Sequence, residues 1–69
     1  MDGQIRVNGE NEALTVRTLA ELVAAKGLSA EGRGVAVAVN GAVVRRAEWA
    51  GRELRAGDAV EIVQARQGG

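Results

Sequence analysis

The chain has no cysteine, no histidine and no proline, and its one aromatic residue is Trp49. Without thiols there can be no disulfide framework, no thiolate zinc site and no cysteine nucleophile; without imidazole there is no histidine general base. Most enzyme chemistry is thereby excluded, and a catalytic residue, a metal site and a bound cofactor are not expected. Charge of one sign is also missing: nine basic residues are balanced by nine acidic ones. The broad basic field of a nucleic-acid binder is absent, and apart from Trp49 nothing could stack on a base. No apolar run nears membrane-spanning length, and the opening Met1-Asp2-Gly3-Gln4 is polar. A soluble cytoplasmic protein with neither nucleic acid nor membrane as partner is the expectation. At 69 residues one domain is the limit, with a core near the smallest that folds unaided.

What is present is a clear alternation of patterns. Ile5 and Val7 alternate with Gln4 and Arg6, and Leu14 and Val16 with Ala13 and Thr15. Asn8-Gly9 lies between them, so a hairpin is predicted, with a loop somewhat longer than two residues. At Thr18 the period changes. Thr18-Leu19-Ala20-Glu21 has the form of a capping box, in which the hydroxyl serves one orphan amide and the carboxylate another. Leu19, Leu22, Val23 and Lys26 then share a face, and Gly27-Leu28 suits a helix stop after about two turns. A glycine-containing loop over 29–34 leads to Val35, Val37 and Val39, which alternate with Ala36 and Ala38 as a strand does. Asn40-Gly41 marks a turn, Val43-Val44 a short strand, and Arg45 to Leu54 an irregular stretch. Ala56-Gly57-Asp58 turns into a last strand carrying Val60 and Ile62. With no proline, the turns fall to glycine; Gly9, Gly41 and Gly57 are turn residues, and no phosphate-binding GxxxxGK[ST] loop exists.

Hairpin, helix, strand, short strand and final strand predict an α+β domain over 1–65: a mixed sheet of four to five strands with one short helix packed on one face. The crossover helix lets the first and last strands pair in parallel at the centre, which is the β-grasp arrangement. The predicted core is Ile5, Val7, Leu14, Val16, Leu19, Leu22, Val23, Leu28, Val35, Val37, Val39, Leu54, Val60 and Ile62, with Trp49 at its edge. Trp49 reads as packing in preference to a partner anchor. Arg45, Arg46, Arg52 and Arg55, interrupted by Glu48 and Glu53, read as a solvated edge in preference to a site for an acidic partner. Val63 and Ala65 face away from Val60 and Ile62. With Ala36 and Ala38 they form either a small-side-chain docking surface or a partly buried patch.

Val39-Asn40-Gly41 to Val44, Glu48-Trp49-Ala50, Leu54, Gly57-Asp58, Val60-Glu61-Ile62-Val63 and Gly68-Gly69 together resemble the ThiS family, the sulfur carriers of thiamine thiazole synthesis. With the opening hairpin and the Thr18 helix, the similarity covers nearly the whole chain. It departs from the family pattern at Arg45-Arg46, where proline commonly precedes the arginine, and at Arg66, where the family is more often apolar. The resemblance implies a β-grasp fold, activation by an ATP-dependent adenylyltransferase related to ubiquitin-activating enzymes, a sulfur donor such as a cysteine desulfurase, and delivery to a thiazole synthase. Three other readings stand beside it: the sulfur-carrying small subunit of molybdopterin synthase, a ubiquitin-like protein modifier, and an inert β-grasp interaction module.

The tail has a reading of its own. Residues 66–69 are expected to form a flexible Gly-Gly tail, for which a frayed end is the bland alternative. Four extended residues from Arg66 reach roughly 13 Å. Gln67 and the side-chain-free Gly68 and Gly69 could thread a narrow channel in a partner. The Gly69 carboxylate, ionised at neutral pH, is a nucleophile toward phosphorus but a poor electrophile. Attack on the α-phosphate of ATP converts it to an acyl-adenylate with AMP as leaving group, open to sulfur and leading to a thiocarboxylate. Such a chain is a cosubstrate and not a catalyst.

Overall fold

The computed structural model describes residues 3–28 and 34–64. Its first strand, β1 (Gln4–Val7), turns back at Asn8-Gly9 into β2 (Glu10–Ala13). The turn residues have φ of 52° and 86°, the left-handed pair of a two-residue type I′ loop, which asparagine and glycine tolerate best. Val7 lies opposite Glu10 and Gln4 opposite Ala13. The loop is therefore shorter than the sequence pattern predicts, and the second strand lies earlier than Leu14 and Val16. The reason is that β2 is an edge strand of mostly polar residues, so its pairing leaves no apolar alternation; Leu14 and Val16 follow it and pack half-buried against the core.

The helix α1 (Leu19–Ala25) begins on the predicted capping box, with the Glu21 N–H donating to Thr18 Oγ1 at 3.2 Å and the Thr18 N–H to Glu21 Oε1 at 3.4 Å. It ends in a Schellman motif: the Gly27 N–H donates to the Ala24 carbonyl and the Leu28 N–H to the Val23 carbonyl, with Gly27 at φ 77°. Lys26 caps the helix instead of extending its apolar face, and its ammonium meets Glu12 at 2.7 Å.

Next come β3 (Val35–Val39), a second two-residue turn at Asn40-Gly41, and β4 (Ala42–Val44). Arg46–Gly51 forms a 3-10 helix, where the sequence suggested irregular chain. Trp49 is its buried residue. The final strand β5 (Ala59–Gln64) completes a five-stranded sheet in the order β2-β1-β5-β3-β4. β5 runs parallel to β1 and antiparallel to β3; the first and last strands meet at the centre, as the β-grasp requires.

The helix lies on one face of the sheet, and Ile5, Val7, Leu19, Leu22, Val23, Val37, Val39, Trp49, Leu54 and Val60 form the buried core. Leu14, Val16, Leu28, Val35 and Ile62, predicted with them, are half-buried around it. Trp49 goes further in than the edge position expected, at 3% exposure, because its indole N–H finds the Val44 carbonyl at 2.9 Å. A buried indole needs such a partner. Among the described residues no buried side-chain polar atom lacks a hydrogen bond, and no helix is long and apolar enough to cross a membrane.

Candidate functional site

β5 leads to the C-terminal residues on which the sequence reading centres. Val60 points into the core, while Glu61 and Val63 are exposed. Along its β3 edge β5 is paired as far as Val35 opposite Gln64. Along its β1 edge the backbone pairs reach only Val7 opposite Val60. Beyond that, Asn8 takes over: its N–H donates to the Val60 carbonyl at 2.9 Å, and its side chain bonds both backbone groups of Ile62. Ala65, Arg66, Gln67, Gly68 and Gly69 lie outside the described residues.

The remaining predicted surface residues come together on the sheet face opposite the helix. Ala36 stands directly across from Val63, and Ala38 across from Val43. Val63 is 64% exposed and Val43 78%, the two large apolar side chains most open to solvent among the described residues. Ala36 is exposed as well, and Ala38 is half-buried between its neighbours. Val63, Ala36, Ala38 and Val43 thus lie together on the outer face of β5, β3 and β4, with the exposed Glu61 opposite Ala38 at their side. The sequence reading missed Val43. Its signal was the two-residue turn at Asn40-Gly41, which sets Val43 opposite Ala38 and turns it away from the core while Val44 points inward.

The arginine-rich stretch does not assemble into one site. Arg45, Arg46 and Arg55 are exposed. Arg52 turns back to the Glu53 carbonyl and stands 3.9 Å from Asp58. Asp58 itself accepts from the Arg55 N–H at 2.9 Å and from the Asn40 amide at 3.0 Å. Partial burial pushes its carboxyl up. Those two hydrogen bonds and the Arg52 and Arg55 charges outweigh it and hold the group below its ordinary value. This is the pattern of a turn lock: Asp58 ties the 55–58 turn to the end of β3 at the start of β5. Trp49 lies inside the core and is not available as a partner anchor. Among the described residues no group of acidic side chains gathers where a metal ion could sit.

The comparisons with known proteins fit this architecture. A crystal structure of the thiamine biosynthesis protein ThiS from Geobacter metallireducens has a TM-score of 0.77 and 28% identity, covering 96% of this chain and 99% of that one. An NMR solution structure of a thiamine biosynthesis protein from the same organism has the same TM-score and identity, covering 96% and 87%. No curated protein matches the chain at a significant level. The ThiS family model matches residues 4–69. That span runs from the first residue of β1 through every element of the sheet to Gly68-Gly69, and the chain belongs to the ThiS family.

Proposed function

We propose that the chain is a sulfur carrier for thiazole formation in thiamine biosynthesis, a cosubstrate that is not itself an enzyme, with the Gly69 carboxylate as its reactive group. The observation that carries this reading is the family match across residues 4–69, which includes the terminal glycine pair. A carboxylate oxygen of Gly69 attacks the α-phosphorus of ATP on an adenylyltransferase partner, and pyrophosphate leaves with the electrons of the broken P–O bond. The terminal sulfur of a partner's cysteine persulfide, charged by a desulfurase, then attacks the acyl carbon and AMP leaves. A thiol cleaves the resulting acyl disulfide, freeing the thiocarboxylate and forming a disulfide with the partner's cysteine. Sulfur passes from there to a thiazole synthase.

The sulfur-transfer steps need thiols that this chain lacks, and ATP is held by the partner. What the chain contributes is presentation. Arg66, Gln67 and Gly68 thread the partner's channel, and the apolar surface of Val63, Ala65, Ala36 and Ala38, extended by Val43, docks against the partner. The exposed Val63 on β5, the strand that leads to the tail, supports this reading.

Intact mass spectrometry after incubation with the adenylyltransferase, ATP and a persulfide source tests the proposal. The expected product carries one sulfur in place of one oxygen, localised to Gly69 by fragmentation. A mass unchanged under conditions that convert another ThiS protein would overturn it.

A further inference from the structure

β5 is held on two edges, and the two are secured by different means near its end. On the β3 side the backbone ladder continues to Gln64. On the β1 side the chain turns away at Asn8-Gly9, and the Asn8 carboxamide supplies the next rung. Its Oδ1 accepts from the Ile62 N–H at 2.8 Å, and its Nδ2 donates to the Ile62 carbonyl at 3.2 Å. Asn8 is thus a link between the first turn of the chain and the strand that delivers the last residues, 54 positions away.

Turn chemistry alone does not require this. The φ of 52° at Asn8 suits glycine as well as asparagine in a type I′ loop, but glycine has no carboxamide to offer Ile62. A comparable clamp sits at the other end of β5. Asn40, with φ 53°, donates its N–H to the Ala59 carbonyl at 2.7 Å, and its Oδ1 accepts from the Ala59 N–H at 2.9 Å. One asparagine secures the strand at its first residue, the other at Ile62, two residues before its end.

We infer that Asn8 is a positioning residue for the carrier reaction: its side chain holds β5 at Ile62 and so sets the direction in which the C-terminal residues leave the sheet. The inference rests on the carrier reading above. β5 ends two residues beyond Ile62, at Gln64, so loosening the Ile62 rung loosens the last stretch of strand from which the C-terminal residues start. A chain that presents its tail correctly for only part of the time binds its partner more weakly in proportion.

The test compares Asn8→Gly with Asn40→Gly, which loses a similar clamp at the end of β5 remote from the tail. Pyrophosphate release by the adenylyltransferase is followed at varied carrier concentration, at a temperature where both variants are folded. Both lose stability. Only Asn8→Gly raises the KM for the carrier, roughly threefold or more, with kcat retained. Its Ile62 amide exchanges with solvent faster relative to the Val37 and Val39 amides than in the parent chain. Asn8→Asp keeps the acceptor for the Ile62 N–H and falls between, and it carries the comparison should Asn8→Gly not fold. A KM for the Asn8 variants no higher than that of Asn40→Gly overturns the inference. A parent chain that releases no pyrophosphate at all overturns the carrier reading and this inference with it.

Discussion

Replacing Val63 by lysine separates docking from folding. Val63 is 64% exposed, so its contribution to the folded state is small, and a surface change of this kind is expected to shift stability by no more than about 0.5 kcal/mol. In a docked complex the exposed part would be buried. Full burial of a valine is worth about 1.5 to 3 kcal/mol, so the exposed fraction accounts for roughly 1 to 2 kcal/mol. Its loss corresponds to about a 5- to 30-fold rise in KM for the carrier. Stranding an ammonium against an apolar surface adds to that. The assay is adenylation at varied carrier concentration, beside urea denaturation of the same preparation. Ala24→Lys is the control, because Ala24 is exposed on α1, on the opposite side of the sheet. Equal KM values for the two variants would show that partners do not use the outer face of β5, β3 and β4.

Leu22 is 3% exposed on the inner face of α1, and Leu22→Ala is expected to cost about 2 to 5 kcal/mol; an unchanged urea midpoint would contradict the packing described. Deleting Gly69, or adding one alanine after it, should leave the melting curve in place while sulfur acceptance collapses. Either change moves the carboxylate by about 3.5 Å, beyond what in-line attack tolerates, and normal sulfur transfer by both would remove Gly69 from the reaction. Asp58 is held below its unfolded value, near 3.9, so its ionised form contributes stability at higher pH that is lost as pH falls through the lower folded value. Asp58→Asn should therefore flatten the stability profile below about pH 4, and an unaltered acid limb would exclude the turn lock.

Much of this was legible because certain local signals depend on few residues. The capping box needs only Thr18 and Glu21, and the two Asn-Gly pairs need only their left-handed backbone. Both survive whatever packs around them. The second strand was misplaced because pairing at a sheet edge is a backbone property, which Glu10, Asn11 and Glu12 satisfy without an apolar stripe. The 3-10 helix at Arg46–Gly51 escaped notice for a related reason: it is anchored by one buried tryptophan, and a single anchor has no period. The outer apolar face was half visible, since alternation assigned Val63, Ala36 and Ala38 to it, whereas Val43 needed the register of a turn. Nothing in composition or spacing pointed to the Asn8 clamp, which joins residues at opposite ends of the chain.

The central place of β5 bears on how the protein is made. β1 and β3 are synthesised first and pair not with each other but each with β5, which lies between them, and contacts between strands distant in sequence form late. A nascent chain still short of Ala59 carries only the segments of two hairpins and a seven-residue helix, each marginal by itself, with no strand to join them. Folding is then coupled to the completion of synthesis: a ribosome that stalls early releases a chain with exposed strand edges, open to aggregation and proteolysis. Molecules that reach the folded pool have been translated at least into the strand from which the tail departs.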